Sequence, residues 1–276
     1  MFKLSLNAGH GMGTAGKRCM KSLDANETRE WWLNDRIADE IEKRLSEYDG
    51  IEILRTDDTT GAKDVSVTTR LSNADKWGAD FYLSIHHNAG IKGGTGGGIV
   101  AFLHTSPLAE SVEWQDALYS AAIEATGLKG NRAVPKPKKN LAELRIAKMP
   151  AVLMECGFMD SATDVPIILT DAYSEALAKA FVEVIVKRAG LKKKATEAER
   201  AKKLYHVQVG SFSKKKYAES MLTKLKGKGF LGYVKTAKDG VKVRYRVQVG
   251  AYSKKSNATA MLAKLKSAGF SGYVTV

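Results

Sequence analysis

One strand-like run constrains the fold more than any other part of the sequence. Residues 81–88 read Phe-Tyr-Leu-Ser-Ile-His-His-Asn, and the aromatic and β-branched residues among them favour a buried strand. The glycine-rich stretch at residues 90–98 follows and cannot continue regular structure without a large loss of backbone entropy. His86 is therefore predicted at the carboxyl end of a strand and beside a loop, where open α/β sheets place their ligands.

Strand and helix patterns alternate on both sides of this run. Together with 81–88, strands are predicted at 2–7, 51–54, 99–103 and 150–158, and helices at 26–48, 67–77, 108–126 and 173–189, with a short segment at 141–145. This order predicts an α/β domain over residues 1–190, built on a twisted, mostly parallel sheet with helices on both faces.

Composition narrows the class of protein further. No run of about 18 apolar residues occurs, so a membrane span is not expected. The first residues alternate like a strand and lack a signal-peptide pattern, so we expect synthesis in the cytoplasm and release by another route. Two cysteines, Cys19 and Cys156, are too few for a disulfide framework.

The charge of the chain is concentrated at one end. Residues 191–276 hold 21 Lys and Arg against 4 Asp and Glu, whereas residues 1–190 hold 23 against 26. Such a tail suits a polyanionic partner, namely nucleic acid, an anionic membrane surface or an anionic cell wall. A lysine-rich face that serves only solubility is the competing interpretation.

Candidate metal ligands follow two predicted strands and open the first long helix. His10 stands between two glycines after the first strand, His86 ends a later strand, and Glu27 and Glu30 fall in the predicted first helical turn. Two imidazoles and one carboxylate suit a tetrahedral Zn²⁺ that leaves its fourth position to water, as catalytic sites do. Glu155 emerges from an apolar strand, where a carboxylate is costly to bury without a partner.

Four motifs in this order carry a resemblance to a known family. They are Asn7-Ala8-Gly9-His10-Gly11, Glu30-Trp31-Trp32-Leu33-Asn34, Ser84-Ile85-His86-His87-Asn88 and Pro150-Ala151-Val152-Leu153-Met154-Glu155-Cys156-Gly157-Phe158. With them, residues 1 to about 190 resemble the zinc-dependent N-acetylmuramoyl-L-alanine amidases of the type 3 family. The resemblance implies one Zn²⁺ held by His10, Glu30 and His86, with Glu155 as the general base.

The same resemblance sets the remaining expectations for this domain. It places Arg145 near the substrate cleft and Asn88 among the substrate-binding residues, and it implies cleavage of the amide between the lactyl group of N-acetylmuramic acid and L-alanine. The chain departs from the family at Met12 and at His87. Strand alternation predicts that the side chains of His86 and His87 point to opposite faces.

Residues 204–276 repeat themselves with an offset of 40. The segment Tyr205-His206-Val207-Gln208-Val209-Gly210-Ser211-Phe212 returns as Tyr245-Arg246-Val247-Gln248-Val249-Gly250-Ala251-Tyr252. Each copy reads strand, helix, strand, which predicts a small α+β domain of βαββαβ order, joined to the first by a charged, partly helical linker at 191–203. The repeat resembles SPOR domains, which bind peptidoglycan glycan strands that lack peptide stems. The resemblance implies an open sheet face that holds glycan through five residues: Gln208, Ser211, Phe212, Gln248 and Tyr252.

These observations predict a cell-wall lytic enzyme targeted to peptidoglycan by its second domain, with neither a nucleic-acid partner nor a membrane span. A phage endolysin is the favoured setting, and a mother-cell lysis enzyme or another bacterial autolysin is the alternative. A zinc peptidase acting within the stem peptide and a non-catalytic wall-binding protein are further rivals. RNA binding would call for aromatic pairs in the middle of the sheet, whereas Phe212 and Tyr252 fall at strand ends.

Overall fold

The computed structural model of this chain describes residues 1–195, 204–239 and 242–276. It divides into two compact units, Met1–Lys194 and Ala195–Val276, each described below by itself. None of the helices described in it is long and apolar enough to span a bilayer.

A five-stranded sheet forms the centre of the first unit. Its strands lie in the order β3-β1-β4-β6-β5, and they are β1 Phe2–Ala8, β3 Ile51–Arg55, β4 Phe81–Asn88, β5 Ile99–Phe102 and β6 Ala151–Phe158. Every pairing is parallel except that of β5 with β6. The predicted mostly parallel sheet is confirmed, and the carboxyl ends of β1, β4 and β6 meet at one edge.

Helices cover both faces of this sheet, as predicted. On one face, α1 Glu30–Leu45, α3 Ala109–Thr126 and α6 Asp171–Ala189 contribute to the larger hydrophobic core. On the other face, α2 Val67–Trp77 and α4 Ala142–Ile146 enclose a smaller core. Helix α2 begins where the Ser66 hydroxyl accepts from the Thr69 N–H and ends at left-handed Gly78. Short elements complete the unit: β2 Tyr48–Asp49, α5 Val165–Ile168 and β7 Lys192–Lys193.

The first long helix is shorter than predicted, and the difference matters for the site. The Asp24 carboxylate accepts from the Asn26 and Thr28 N–H groups, which holds this segment in a turn until α1 begins at Glu30. Glu27 therefore lies outside the helix, in a left-handed conformation, and its carboxylate contacts Arg18 at 3.1 Å. Only Glu30 occupies the first helical turn.

The boundary predicted after residue 190 also differs. Strand β7, at 192–193, pairs with β2 and belongs to the first unit. The remainder of the predicted linker, residues 196–203, lies outside the described residues. Cys19 and Cys156 are both buried and free.

The second unit has the predicted βαββαβ order. Its elements are β8 Tyr205–Phe212, α7 Lys215–Gly227, β9 Gly232–Asp239, β10 Lys242–Tyr252, α8 Lys255–Ser267 and β11 Tyr273–Thr275. The strands form an antiparallel sheet in the order β11-β8-β10-β9. Valines of β8 and β10 pack against α7 and α8 to form the core of this unit, so the sheet has one covered and one open face.

Candidate functional site

Three candidate metal ligands converge at the carboxyl edge of the parallel sheet. His10 follows β1, His86 lies near the end of the adjacent β4, and Glu30 opens α1. Glu30 Oε1 lies 3.4 Å from His10 Nε2 and 3.1 Å from His86 Nδ1. One ligand atom from each residue lies within 4.8 Å of the others, a spacing that a single metal ion can bridge.

The backbone around His10 is shaped for this approach. A Cβ added at Gly9 would overlap the imidazole ring of His86, so only glycine fits between the two strand ends. His10 itself has φ of 66°, a left-handed conformation that is rare for a residue with a side chain. Backbone strain of this kind is maintained by the surrounding structure and concentrates at functional sites.

Charge at the cluster is compatible with a cation. Burial alone would raise the pKa of Glu30, but the hydrogen bond from His86 and the charges of His10 and Lys17 lower it to about 2. Lys17 Nζ lies 3.3 Å from Glu30 Oε2, and this buried oxygen accepts no hydrogen bond from any described residue. Burial lowers the pKa of His10, which favours the neutral imidazole that binds metal. This buried His, His and Glu set fits the donors of a catalytic zinc site.

Glu155 lies on β6 directly beside His86 in the strand register. Its Oε2 atom is buried and has no hydrogen-bond partner among the described residues. Burial raises the pKa of Glu155 to about 7; the charge of His86 acts in the lowering direction and that of Glu30 in the raising direction. A carboxyl with such a pKa exchanges protons near neutral pH, as a general base must.

The structure separates the two neighbouring histidines. His87 Nδ1 pairs with Asn34 Oδ1 of α1 at 2.8 Å, and burial lowers the pKa of this imidazole to about 3. His86 lies on the other face of β4, where its ring contacts the carboxylate of Glu143. Tyr82 and Ser84 donate to the same carboxylate. The predicted opposite orientation of His86 and His87 is confirmed, and only His86 belongs to the metal cluster.

The two residues predicted to bind substrate make only local contacts. Arg145 donates to Asn140 Oδ1 at 3.0 Å and lines a cavity that also contains His104 and Lys148. Asn88 Oδ1 accepts from the Ala89 N–H at 2.9 Å. Neither side chain has a described contact with the metal cluster, so their roles in substrate binding stay predictions.

Sequence reasoning missed Glu143, which the structure places against His86. Glu143 lies in α4, and its Oε2 is 3.3 Å from His86 Nε2. Burial alone would raise the pKa of Glu143, but the bonds from His86 and Tyr82 and the charge of Arg70 lower it to about 2. The available signal was weak, because a glutamate in a short helical segment reads like any solvated one.

In the second unit, two glutamines and two tyrosines form symmetric pairs on the open face of the sheet. Gln208 Nε2 donates to Tyr273 OH at 2.7 Å, and Tyr233 OH donates to Gln248 Oε1 at 3.1 Å. The tyrosines remain 57% and 39% exposed, respectively, so their rings are available to a ligand. Both tyrosines recur at the 40-residue offset, a signal that sequence reasoning did not use for the site.

The predicted open-face positions of Phe212 and Tyr252 are wrong. Residues 247 and 248 of β10 pair with 210 and 208 of β8, so Val209 is the extra residue of a bulge that reverses the alternation. Ser211 therefore lies on the open side opposite Arg246, and Phe212 packs against the core. A second register shift between residues 249 and 252, next to left-handed Gly250, sends Tyr252 to the core as well.

Comparisons with known proteins agree with both parts of the chain. The family described as N-acetylmuramoyl-L-alanine amidase matches residues 4–187, and the SPOR domain family matches residues 201–275. The sporulation-specific N-acetylmuramoyl-L-alanine amidase of Bacillus subtilis (strain 168) is 34% identical over 231 residues, covering 83% of each chain. The N-acetylmuramoyl-L-alanine amidase CwlM of Bacillus licheniformis is 31% identical over 233 residues, again covering 83% of each. The catalytic domain of CwlV, an N-acetylmuramoyl-L-alanine amidase from Bacillus (Paenibacillus) polymyxa var. colistinus, has the same fold, with a TM-score of 0.61 at 20% identity, covering 70% of this chain and 100% of that one.

Proposed function

Because this chain belongs to the N-acetylmuramoyl-L-alanine amidase family and carries a C-terminal SPOR domain, we propose that its amidase activity depends on a zinc ion held by His10, Glu30 and His86. The predicted enzyme class and the peptidoglycan partner are confirmed by these family matches. The enzyme cleaves the amide between the lactyl group of N-acetylmuramic acid and the L-alanine of the stem peptide. The two alternatives, a peptidase and a non-catalytic binding protein, are distinguished from the amidase by the digestion experiment below.

The convergence of three ligand atoms within 4.8 Å carries the zinc proposal. When bound in such a site, zinc acts as a Lewis acid towards a carbonyl and makes water more acidic. Gly9 gives the His86 ring room to approach the His10 loop, and the ionised Glu30 supplies negative charge. The protein thus contributes two imidazoles and one carboxylate that already converge on one point.

Glu155 is assigned as the general base. It lies beside His86 in the sheet, and its pKa of about 7 lets it accept a proton from water and return it to the leaving amine. Its Oε2 atom has no hydrogen-bond partner in the part of the chain that the structure describes, so it is free to accept a hydrogen bond from that water. Without Glu155, a metal site would remain, but proton transfer would lose its carrier.

Digestion of purified peptidoglycan tests this assignment. The protein is assayed as prepared, after a chelator and after zinc is restored, and newly exposed amino termini are identified. We expect L-alanine termini that vanish with chelator and return with zinc, and none from Glu155→Gln even with zinc present. Termini elsewhere in the stem would instead indicate a peptidase, and activity that survives complete metal removal would refute the zinc proposal.

For the SPOR domain, we propose that the open sheet face binds glycan. Gln208, Ser211 and Gln248 lie on that face, and the exposed rings of Tyr233 and Tyr273 take the place predicted for Phe212 and Tyr252. The two glutamines are buried and hold the tyrosine hydroxyls, so the exposed tyrosine rings are the groups that suit the faces of sugar rings.

The biological setting is a separate proposal. We propose that the protein is a phage endolysin, made in the cytoplasm, that reaches the wall after release. A mother-cell lysis enzyme is the second candidate, favoured by the sporulation-specific relative of Bacillus subtilis. Immunoblots across phage induction and across sporulation separate the two, because the protein should accumulate during only one of these processes.

A further inference from the structure

Glu143 makes four side-chain contacts although it lies far from its partners in sequence. Its Oε1 atom accepts from Asn7 Nδ2 at 2.8 Å, Tyr82 OH at 2.6 Å and Ser84 Oγ at 2.9 Å. Its Oε2 atom faces His86 Nε2 at 3.3 Å. The residue is 6% exposed, so the whole carboxylate is taken from water and committed to these four groups.

The two nitrogens of His86 thus face different groups. Nδ1 lies on the side of the metal cluster, 3.1 Å from Glu30 Oε1, and Nε2 faces Glu143. An ionised carboxylate only accepts hydrogen bonds, so the nitrogen facing Glu143 must carry a proton. Nδ1 also lies within hydrogen-bond distance of the ionised Glu30, so it can carry a proton in the metal-free protein, and a metal ion bound at the cluster would displace that proton. The lone pair available for a metal is then the one on Nδ1.

We propose that Glu143 is a positioning residue that holds His86 with its proton on Nε2 and thereby presents Nδ1 to the metal ion. This inference rests on the metal site of the proposed function. A hydrogen bond from the N–H of a ligating histidine, on the nitrogen that does not bind the metal, to a carboxylate fixes the ring and raises its affinity for metal.

The contact with His86 is the one that requires a negative charge at position 143. The three donors on Oε1 are neutral, and the amide oxygen of a glutamine would accept from the same groups. Burying an ionised carboxylate carries a desolvation penalty that a neutral amide avoids. When Nδ1 of His86 binds metal, its Nε2–H needs an acceptor. This contact explains why position 143 holds a glutamate rather than a glutamine.

The Glu143 carboxylate is itself positioned by a further pair of residues. Arg70 Nη1 donates to Asn7 Oδ1 at 2.7 Å, which fixes the amide of Asn7 so that its Nδ2 points at Glu143. The other histidine of the cluster has a looser arrangement, because His10 Nδ1 lies 3.7 Å from the half-exposed Asp64. Of the two imidazoles, His86 therefore has the tighter and better-buried carboxylate partner.

Glu143→Gln in the full-length protein tests the proposal directly. The Gln oxygen keeps the three neutral donors, so its NH₂ group faces His86 Nε2 and drives the ring proton to Nδ1. We expect the zinc Kd, measured by competition with a chromogenic chelator, to rise by roughly 10–100-fold. Long-range proton–nitrogen NMR spectra of the zinc-loaded parent should show the His86 proton on Nε2, which leaves Nδ1 to the zinc ion.

Tyr82→Phe is the matched control, because it removes a hydrogen bond to the same carboxylate without touching His86. It should lower the melting temperature yet leave the zinc Kd within about twofold of the parent. Equal zinc affinity in Glu143→Gln and the parent would overturn the proposal. If the variant fails to fold, His86 bound to zinc through Nε2 in the parent would overturn it equally.

The failure of the underlying metal site has a different signature. In that case, the parent and a His10→Ala variant would bind zinc equally weakly, and Glu143→Gln would not differ from either. Zinc binding that needs His10 but is indifferent to Glu143 would remove only the positioning role.

Discussion

Replacing Glu155 with glutamine should stabilise the metal-free first unit in a pH-dependent way. Burial raises the pKa of Glu155 from its ordinary 4.5 to about 7, so the folded state binds this proton more tightly than the unfolded state. Stability is therefore lost as pH rises from 4.5 to 7, and the whole loss persists above 7. A shift of that size corresponds to about 3 kcal/mol, which the neutral glutamine avoids.

The gain from Glu155→Gln should thus be about 3 kcal/mol near pH 8, about 1 kcal/mol near pH 5.5 and close to zero below about pH 4. Urea unfolding followed by tryptophan fluorescence measures it selectively, because all four tryptophans lie in the first unit: Trp31, Trp32, Trp77 and Trp114. The same substitution at exposed Glu124 is the matched control and should leave the pH profile unaltered.

Excess zinc should shrink the difference between Glu155→Gln and the parent near pH 8. A cation beside His86 favours the ionised form of Glu155 and so relieves part of the penalty. A gain that is the same at about pH 5 and about pH 8, or no gain, would show that Glu155 is not a desolvated carboxylate. Its assignment as general base would then lose its electrostatic support.

Four further perturbations test other parts of the molecule. Gly9→Ala should abolish zinc binding in titration calorimetry because its Cβ would overlap an imidazole of the cluster; Gly13→Ala, whose Cβ meets nothing within 4 Å, should bind normally. Phe212→Ala should destabilise the second unit by about 2 kcal/mol in hydrogen exchange, whereas Tyr273→Phe should weaken binding to purified glycan strands with little loss of stability. Removing residues 191–276, which carry 21 basic and 4 acidic residues, should weaken wall binding in sedimentation assays and reduce its dependence on salt concentration. If neither the truncation nor added salt changed the binding, the charged tail would have no role in it.

The elements of the first unit were largely predictable because each is determined locally. Helix α2 and strand β4 have the predicted bounds. The helix is marked by its apolar period and by caps at Ser66 and Gly78, and the strand by an apolar run that ends before a glycine-rich stretch. Helix α1 was overextended because its start depends on Asp24, whose carboxylate holds the preceding turn through side-chain bonds that the apolar period does not reveal.

The residues of the sites were less predictable where a side chain depends on distant partners. Phe212 was misassigned because a bulge at Val209 reverses the alternation that sequence spacing assumes, and Tyr252 was misassigned because of the second register shift, between residues 249 and 252. Glu143 escaped notice because its partners lie 57 to 136 positions away, and only the closed fold brings them to one carboxylate.

A single side chain, that of Arg70, is connected through hydrogen bonds to both histidines of the cluster. Its Nη2 donates to the His10 carbonyl oxygen at 3.1 Å, while its Nη1 fixes Asn7, the partner of Glu143. Helix α2 therefore reaches His10 through the backbone and His86 through two side chains. Glu155 lies on β6 beside His86, and its Oε2 atom makes no hydrogen bond to this network among the described residues. The pKa of Glu155 is raised chiefly by burial, which Arg70 does not supply, so a change at Arg70 should alter metal affinity more than the pKa of the general base.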